Sequence, residues 1–337
     1  MITYNPLLCL DFYKTCHAEQ YPKGLTKMVS YYTPRMSRLS DTDKVTLFGL
    51  QAFIQEYLIE AFNDHFFNVP FDSVLKEYTR VLGATIRTKG VGEKRLRELH
   101  DLGYLPLQIR AVPEGTRTNI KVPQIEISNT HPNFVWLVNT IETMLSCTMW
   151  HTQVSAEVGY RYRKIVNEYA ERTCDDSVVR ARLLGDFSMR GQESVESATK
   201  SAAAFCLSFL NTATVPAILW LEHNYNCDCS KEPVAYGALS TEHSVMCSNF
   251  AVDGDEVTQI RRLLCEALQG CVWRHSIWSR SHWLAEVGWQ TPAIAPRIML
   301  DTPQSSVTAP VTSAHSQTSW CMRFVRLATN SPFLVSW

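Results

Sequence analysis

The sequence lacks cysteine pairs of the C-x-x-C kind. Its eleven cysteines are an odd number, and the closest two, Cys227 and Cys229, are separated by a single residue. Disulfide frameworks and zinc sites both need cysteines or histidines paired at defined spacings. We therefore predict reduced, mostly buried thiols, no disulfide framework and no metal held by protein ligands.

Long apolar runs and an excess of one charge are also missing. No apolar run reaches the roughly 18 residues of a membrane helix, and the first residues show no basic segment followed by an apolar stretch. The 32 Lys and Arg against 33 Asp and Glu give a net charge of -1, which creates no field that would attract nucleic acid or anionic lipid. We expect a cytoplasmic protein without nucleic-acid or membrane partners.

Lysine and tyrosine disappear late in the chain. No Lys follows Lys231, no Tyr follows Tyr236, and six of the nine tryptophans lie beyond Gln269. Residues 292–319 are rich in Pro, Ser, Thr and Ala, which favours irregular chain. We leave residues 269–337 unassigned. One hypothesis is that they are out-of-frame or foreign sequence, and the other is a genuine lineage-specific terminus.

Hydrophobic periodicity predicts a mixed α/β domain over residues 1–150. Residues 46–62 have apolar side chains at helical spacing, with residues 41–43 available as caps. The alternation in residues 105–127, around the turn at 113–115, predicts a β-hairpin or two sheet strands. Helical spacing returns in residues 134–150 and 156–172.

Residues 151–268 show a repeated strand, loop and helix order. A short apolar segment at 183–184 precedes a polar loop and a helical run at 193–209. The same order recurs weakly at 215–221, and again at 235–245 before a helical run at 255–268. Such repeats are typical of a wound α/β sheet or barrel, so we predict one of these two arrangements here.

Four constellations could carry chemistry. Residues 11–35 combine aromatic rings with Lys and Arg, residues 186–191 combine Phe187 with Arg190 at a strand-to-helix junction, and Glu242 and Ser244 flank His243. The fourth, residues 211–214, is by itself only a polar loop. Each has a structural alternative, which is a half-buried ring beside surface charges or a histidine at a strand end.

The order and spacing of several motifs resemble the nicotinamide phosphoribosyltransferase family over about residues 1–265. The motifs that carry the resemblance are DFYKTCHAEQYP at 11–22, FGLQ at 48–51, LPL at 105–107 with AVPEGT at 111–116, NTHP at 129–132, ET at 142–143, DFSMRG at 186–191 and EHS at 242–244.

This resemblance implies a dimeric α/β enzyme of the type II phosphoribosyltransferase kind. It would have an irregular, partial β/α barrel over residues 151–268 and a smaller N-terminal sheet-containing domain. Such an enzyme joins nicotinamide to phosphoribosyl pyrophosphate, giving nicotinamide mononucleotide and pyrophosphate in NAD salvage. Mg²⁺ would act through the pyrophosphate, and ATP hydrolysis is coupled to the reaction in the family.

The resemblance also implies roles for individual residues. Phe187 and the second subunit's copy of Tyr13 would sandwich the pyridine ring, with Arg190 beside them, and Arg35 would contact phosphate across the dimer. His243 would be the catalytic histidine, together with Arg190 as the second catalytic residue. The remaining predicted substrate-binding residues are Asp186, Ala213 and Glu242.

The chain departs from the family pattern at several positions. Where the family has Gly-Thr-Asp-Thr, residues 211–214 read NTAT, so Ala213 replaces the carboxylate expected to bind the substrate amide. Gly185 stands where a His is common, Ser188 where a Gly is common, and Gly237 where a Ser is common. The change at Ala213 leaves nicotinate-type base specificity open.

Beyond about residue 265 the sequence has no counterpart of the family's glycine-rich phosphate loop. Only Gly270 and Gly288 follow, and backbone N–H groups that cradle phosphate need such turns. An open half-barrel would expose strand edges and apolar surface, so we expect a poorly stable or aggregation-prone chain. The alternative to an active enzyme is a catalytically inactive truncated homologue, or a dimer partner that donates Tyr13 and Arg35 to a complete subunit.

Overall fold

The computed structural model describes residues 2–37, 41–86, 92–173, 177–237 and 242–262, together with the backbone of 320–324. Its strands are β1 (Val29–Pro34), β2 (Lys44–Thr46), β3 (Leu107–Ala111), β4 (Arg117–Asn119), β5 (Ile125–Asn129) and β6 (Trp320–Phe324). They form a four-stranded sheet in the order β3-β5-β1-β6 and a separate β2-β4 pair. All of these pairings are antiparallel.

Helices make up most of the rest. The α-helices are α1 (His17–Gln20), α2 (Leu50–Phe53), α3 (Phe71–Thr85), α4 (Glu93–Leu102), α5 (Val135–Thr140), α6 (Glu142–Ala170), α7 (Ser177–Arg182), α8 (Val195–Phe205), α9 (Val215–Tyr225), α10 (His243–Asp253) and α11 (Glu256–Arg262). Single 3₁₀ turns lie at Pro6–Leu8, Phe12–Cys16, Pro132–Phe134 and Met189–Gly191. Within the described ranges, no helix is long and apolar enough to cross a membrane.

The alternation in residues 105–127 does form strands, but the pairing skips one of them. β3 pairs with β5, so that Ile109 lies opposite Ile127, while the turn at 113–115 leads into β4, which pairs with β2. Ile125 and Ile127 are buried against the helices that cover this sheet. The predicted hairpin is therefore interrupted by a strand that belongs to the second sheet.

The helix predicted over residues 46–62 begins later and ends later. Residues 44–46 form β2, and the helix starts at Leu50 because Gly49 has a φ of +98°. It continues in π-helical turns to Phe67. The cap predicted from residues 41–43 was wrong, since the carboxylate of Glu114 accepts from Gly49 N at 3.2 Å and Gln51 N at 2.7 Å.

The long helix α6 links the two halves of the described chain. It spans 29 residues without a break, so the two helical runs predicted at 134–150 and 156–172 are mostly one helix. Its first turns pack into the amino-terminal core, where Leu145 and Met149 are buried. Further along, Ala156 packs against the alanines of α8, which places α8 and the loop before it on the same helix.

The repeated strand and helix order of residues 151–268 is present in a reduced form. Two single parallel bridges, Asp186 with Thr212 and Asn211 with Tyr236, align three chain segments, each followed by a helical segment. The strands predicted at 183–184 and 215–221 were wrong. The second lies in α9, which Pro216 opens in its first turn, and an apolar run of that length does not distinguish a strand from a buried helix.

The two bridges are parallel, and helices follow the segments that they join, so this region mixes helix and sheet. The described residues do not show a barrel. The predicted helix at 255–268 is described as α11 up to Arg262, and the remainder lies outside the described residues. The predictions for residues 269–337 also lie outside them, apart from β6, whose backbone pairs with β1 between Ser30 and Pro34.

The prediction of mostly buried thiols was wrong. Seven cysteines in the described ranges are free; Cys147, Cys229 and Cys247 are exposed, and the other four are half-buried. Cys9, Cys206 and Cys227 are partly buried and pack against the two hydrophobic cores.

Candidate functional site

A buried carboxylate holds together the loop that carries the predicted site. Asp186 is only 9% exposed. Its Oδ1 accepts from the backbone N of Ser188 at 3.3 Å and from the Ser188 hydroxyl at 2.7 Å. Its Oδ2 accepts from the hydroxyl of Thr214 at 3.2 Å. Asp186 therefore fixes the loop at 186–191 to the loop at 211–214, and both of its oxygens are already engaged.

Hydrogen bonds extend this network to α6. The Ser188 hydroxyl accepts from Gln192 Nε2 at 3.0 Å, Ser197 donates to Gln192 at 3.4 Å, and His151 Nε2 lies 3.3 Å from the Ser197 hydroxyl. The loop is thus anchored at both of its ends. A loop held in this way keeps its side chains in a fixed geometry, as a binding site requires.

Phe187 and Arg190 lie together on the outer side of this loop. Phe187 is 56% exposed, an unusual position for a large aromatic ring. The guanidinium carbon of Arg190 lies 5.4 Å from the centre of the Phe187 ring, within the range of a cation–π contact. An exposed ring with a cation beside it can stack a flat ligand and attract a phosphate.

Behind Phe187 lies a cavity of about 160 Å³. It is bounded by α6, α8 and the segment 184–188, and its lining residues are Ser155, Val158, Tyr162, Leu184, Gly185, Asp186, Phe187, Ser188, Ser201 and Phe205. The residues from α6 and α8 were missed at the level of sequence. The only signal for them was the occurrence of serines within helical runs otherwise rich in small apolar residues.

The loop at 211–214 reaches the same place through its backbone. Ala213 N donates to the carbonyl of Asp186 at 2.8 Å, and the Ala213 side chain is exposed. The neighbouring Asn211 side chain fills the space next to Gly185, where an added Cβ would lie 2.8 Å from the Asn211 amide. Asn211 Nδ2 also donates to the Arg182 carbonyl at 3.2 Å. Gly185 and Asn211 are therefore matched in shape.

The structure places His243 at the first turn of α10, on the surface. Glu242 precedes that helix, is also exposed, and accepts a hydrogen bond from the hydroxyl of Ser244. Neither His243 nor Glu242 is among the described residues that line the cavity. The loop before them, residues 238–241, lies outside the described ranges.

Tyr13 and Arg35 are both exposed and do not line the cavity described above. The Tyr13 hydroxyl donates to Asp11 at 3.4 Å, and the neighbouring Lys14 forms a buried ion pair with Glu142 at 2.5 Å. Arg35 directly follows β1. Their surface positions leave both side chains available to a second molecule.

A thiol lies close to this loop but is not available as a nucleophile. Burial, with a smaller contribution from the Asp186 carboxylate, raises the pKa of Cys206 to about 12. At neutral pH this thiol is protonated, and a protonated thiol is a poor nucleophile. Among the described residues there is also no cluster of three or more His, Cys, Asp or Glu side chains that could hold a metal ion.

Comparison with known proteins gives consistent matches. Residues 5–68 match the family model of the nicotinamide phosphoribosyltransferase N-terminal domain. A nicotinamide phosphoribosyltransferase of Acinetobacter baylyi is 38% identical over 270 residues, which is 78% of this chain and 52% of that protein. Another from Xanthomonas campestris pv. campestris is 32% identical over 248 residues, 72% of this chain and 49% of that protein. The chain thus spans about half the length of these relatives.

Among solved structures, human nicotinic acid phosphoribosyltransferase is matched with a TM-score of 0.49 and 18% identity, over 71% of this chain and 40% of that one. A likeness of this size carries no conclusion about fold or activity.

Proposed function

We propose that this chain is a member of the nicotinamide phosphoribosyltransferase family and acts in NAD salvage as a pentosyltransferase, as its matches to these relatives support. The proposed reaction joins nicotinamide to phosphoribosyl pyrophosphate, giving nicotinamide mononucleotide and pyrophosphate. The observation that carries the proposal is the exposed Phe187 ring with Arg190 beside it, held by a buried carboxylate at the junction of two parallel segments.

The proposed reaction requires that its substrates are positioned and that the charges developing during the reaction are stabilised. As the pyridine nitrogen displaces pyrophosphate, positive charge develops on the sugar and negative charge on the leaving group, so electrostatic stabilisation does most of the work. The Phe187 ring would hold the base by stacking, and the Arg190 guanidinium, which cannot lose its proton, would supply fixed positive charge next to it. No covalent nucleophile is required, which agrees with a protonated Cys206.

Tyr13 and Arg35 have proposed roles that depend on a second subunit, and His243 and Glu242 have proposed roles in the reaction itself. We propose a cytoplasmic homodimer in which the exposed Tyr13 completes the stack and the exposed Arg35 contacts phosphate. His243 and Glu242 would act from the start of α10, in a reaction coupled to ATP hydrolysis. The surface positions of Tyr13 and Arg35 support contacts of these two side chains with a second molecule.

Magnesium is proposed to arrive with the substrate. Mg²⁺ is commonly bound by one or two carboxylates together with substrate phosphates, and among the described residues no three His, Cys, Asp or Glu side chains form a cluster for a metal ion. When bound through pyrophosphate, Mg²⁺ neutralises negative charge on the leaving group. With the pyrophosphate charge neutralised by Mg²⁺, the protein side chains would have to bind and orient only the base and the sugar.

The test is formation of nicotinamide mononucleotide by the purified chain from nicotinamide, phosphoribosyl pyrophosphate and Mg²⁺. We expect turnover in the unmodified chain and a loss of 100-fold or more in Phe187→Ala, roughly the effect of losing a positioning group. Phe250→Ala is the matched control, since Phe250 is 51% exposed on α10 and has no role in the proposal. Absence of turnover, or equal turnover in both variants, would overturn the proposed function.

A further inference from the structure

The cavity behind Phe187 has the size of one six-membered ring. Its volume is about 160 Å³, and three of its walls are the aromatic side chains of Tyr162, Phe187 and Phe205. An apolar cavity of about 150 Å³ holds a molecule of benzene. Phe187 lines this cavity and is also 56% exposed, so a ring bound in the cavity would contact the Phe187 side chain.

Two buried hydroxyls contribute polar groups to the part of the cavity lined by α6 and α8. Ser155 on α6 and Ser201 on α8 are each 5% exposed, and their Oγ atoms are hydrogen-bonded to each other at 3.1 Å. Each hydroxyl can donate one hydrogen bond and accept two. The pair therefore has acceptor capacity left over, and it can rearrange to donate, which suits a group that both donates and accepts.

None of the described residues that line the cavity carries a positive charge. Asp186 is the one charged side chain among its described lining residues, and its two oxygens already accept hydrogen bonds from Ser188 and Thr214. Arg190 lies over the Phe187 ring and does not line the cavity. Burying an anion without a cation is costly, whereas a neutral polar group needs only hydrogen-bond partners.

We propose that this cavity binds the base as a neutral ring carrying a carboxamide, and that Ser155 and Ser201 select the amide over the corresponding acid. The inference rests on the proposed function, because it takes nicotinamide as the ring in question. It assigns amide recognition to two hydroxyls on α6 and α8. The missing carboxylate at Ala213 then does not change the base that is chosen.

The test uses benzamide and benzoate as probes, measured by titration calorimetry on the full chain. Neither probe has a ring nitrogen, so neither can be a substrate, and binding is measured separately from turnover. We expect benzamide to bind at least tenfold more tightly than benzoate. We also expect the double variant Ser155→Ala/Ser201→Ala to weaken benzamide binding about tenfold, the usual effect of losing one to two hydrogen bonds.

The controls separate binding from folding. Ser73→Ala, at an exposed serine on α3, should leave both affinities unchanged. The double variant removes both hydroxyls and so leaves no buried group without its partner, and circular dichroism confirms that it folds. If it does not fold, Ser155→Ala alone replaces it, with an expected weakening of about threefold or more.

Three outcomes would overturn the inference: no benzamide binding, equal binding of benzamide and benzoate, or unchanged benzamide affinity in the serine variants. If benzamide binds as expected while the chain forms no nicotinamide mononucleotide, the result contradicts the proposed function but supports the proposed binding site.

Discussion

The two halves of the described chain bury very different amounts of apolar surface. The amino-terminal half has a core of 26 buried side chains, all within residues 2–149, including several phenylalanines with no exposure. The core around α8 and α9 has seven, and five of these are alanine. Large apolar side chains in this second region are instead exposed, such as Val215 at 68% and Leu219 at 63%.

The difference indicates which half gains more free energy from apolar burial. Burial of a leucine or phenylalanine contributes about 1.5–3 kcal/mol, and an alanine contributes much less. The amino-terminal half therefore holds most of the stability, while the candidate site lies on the weaker half. We infer that the site depends on α6 and on the polar contacts between the halves for its geometry.

The largest effect is expected from the amino-terminal core. Phe62 is fully buried, so Phe62→Ala should lower the free energy of unfolding by about 3–5 kcal/mol through lost burial and a new cavity. Chemical denaturation measures this, with the exposed Phe250→Ala as a control that should change it by less than about 0.5 kcal/mol. Similar effects of the two variants would remove the basis of the comparison.

The next effect concerns the contacts that join the two halves. The Glu114 carboxylate accepts from Gly49 N, Gln51 N and, at 2.7 Å, from the hydroxyl of Tyr225 on α9. Glu114→Ala should cost about 2–3 kcal/mol, because hydrogen bonds to a charged group are lost and buried donors are left without partners.

Glu171→Ala, at an exposed glutamate just after α6, is the matched control and should have almost no effect. If Glu114→Ala is equally silent, the halves are not held together at this position.

A smaller effect is expected where Gly185 and Asn211 are matched in shape. In Gly185→Ala the new Cβ displaces the Asn211 amide from its bond to the Arg182 carbonyl, at a cost of about 1–2 kcal/mol. In the Asn211→Gly background the same substitution should cost nothing, so a double-mutant cycle measures the coupling. Additive effects in that cycle would show that the two residues do not interact.

The smallest effect is chemical. With a pKa of about 12, Cys206 carries a thiolate fraction of about 10⁻⁴ at pH 8, so it should resist alkylation by iodoacetamide while the exposed Cys147 and Cys247 react. The pKa of Cys206 is raised by folding, so its contribution to stability is present below pH 9 and is lost between pH 9 and 12. Mass spectrometry of the alkylated chain checks this, and rapid labelling of Cys206 would contradict the assigned environment.

The sequence predicted the elements of the amino-terminal half better than those of the second. The periodicities around residues 46–62 and 134–172 are long, and long periodic runs identify helices reliably. The run at 215–221 is short and apolar on all sides, so its spacing could not distinguish a strand from α9. Pro216 was the missed signal, because proline is favoured in the first turn of a helix.

The sequence could indicate only those neighbours in the candidate site that are close together along the chain. Phe187 and Arg190 lie three residues apart, and their contact could be inferred from that spacing. Ser155 and Ser201 are 46 residues apart and meet only because α6 and α8 pack together. Local patterns cannot predict such a contact, since it depends on tertiary packing.

The central claim is that the candidate site lies on a weakly packed half of the chain, next to a more stable amino-terminal half. Hydrogen exchange of the full chain, with and without nicotinamide, tests this most directly. We expect slow exchange in residues 50–67 and 125–149, and faster exchange in α8 and α9. Nicotinamide should slow exchange in residues 184–190 and in α8 and leave the amino-terminal core unchanged. Equal exchange in both halves, or no slowing around Phe187, would contradict this account.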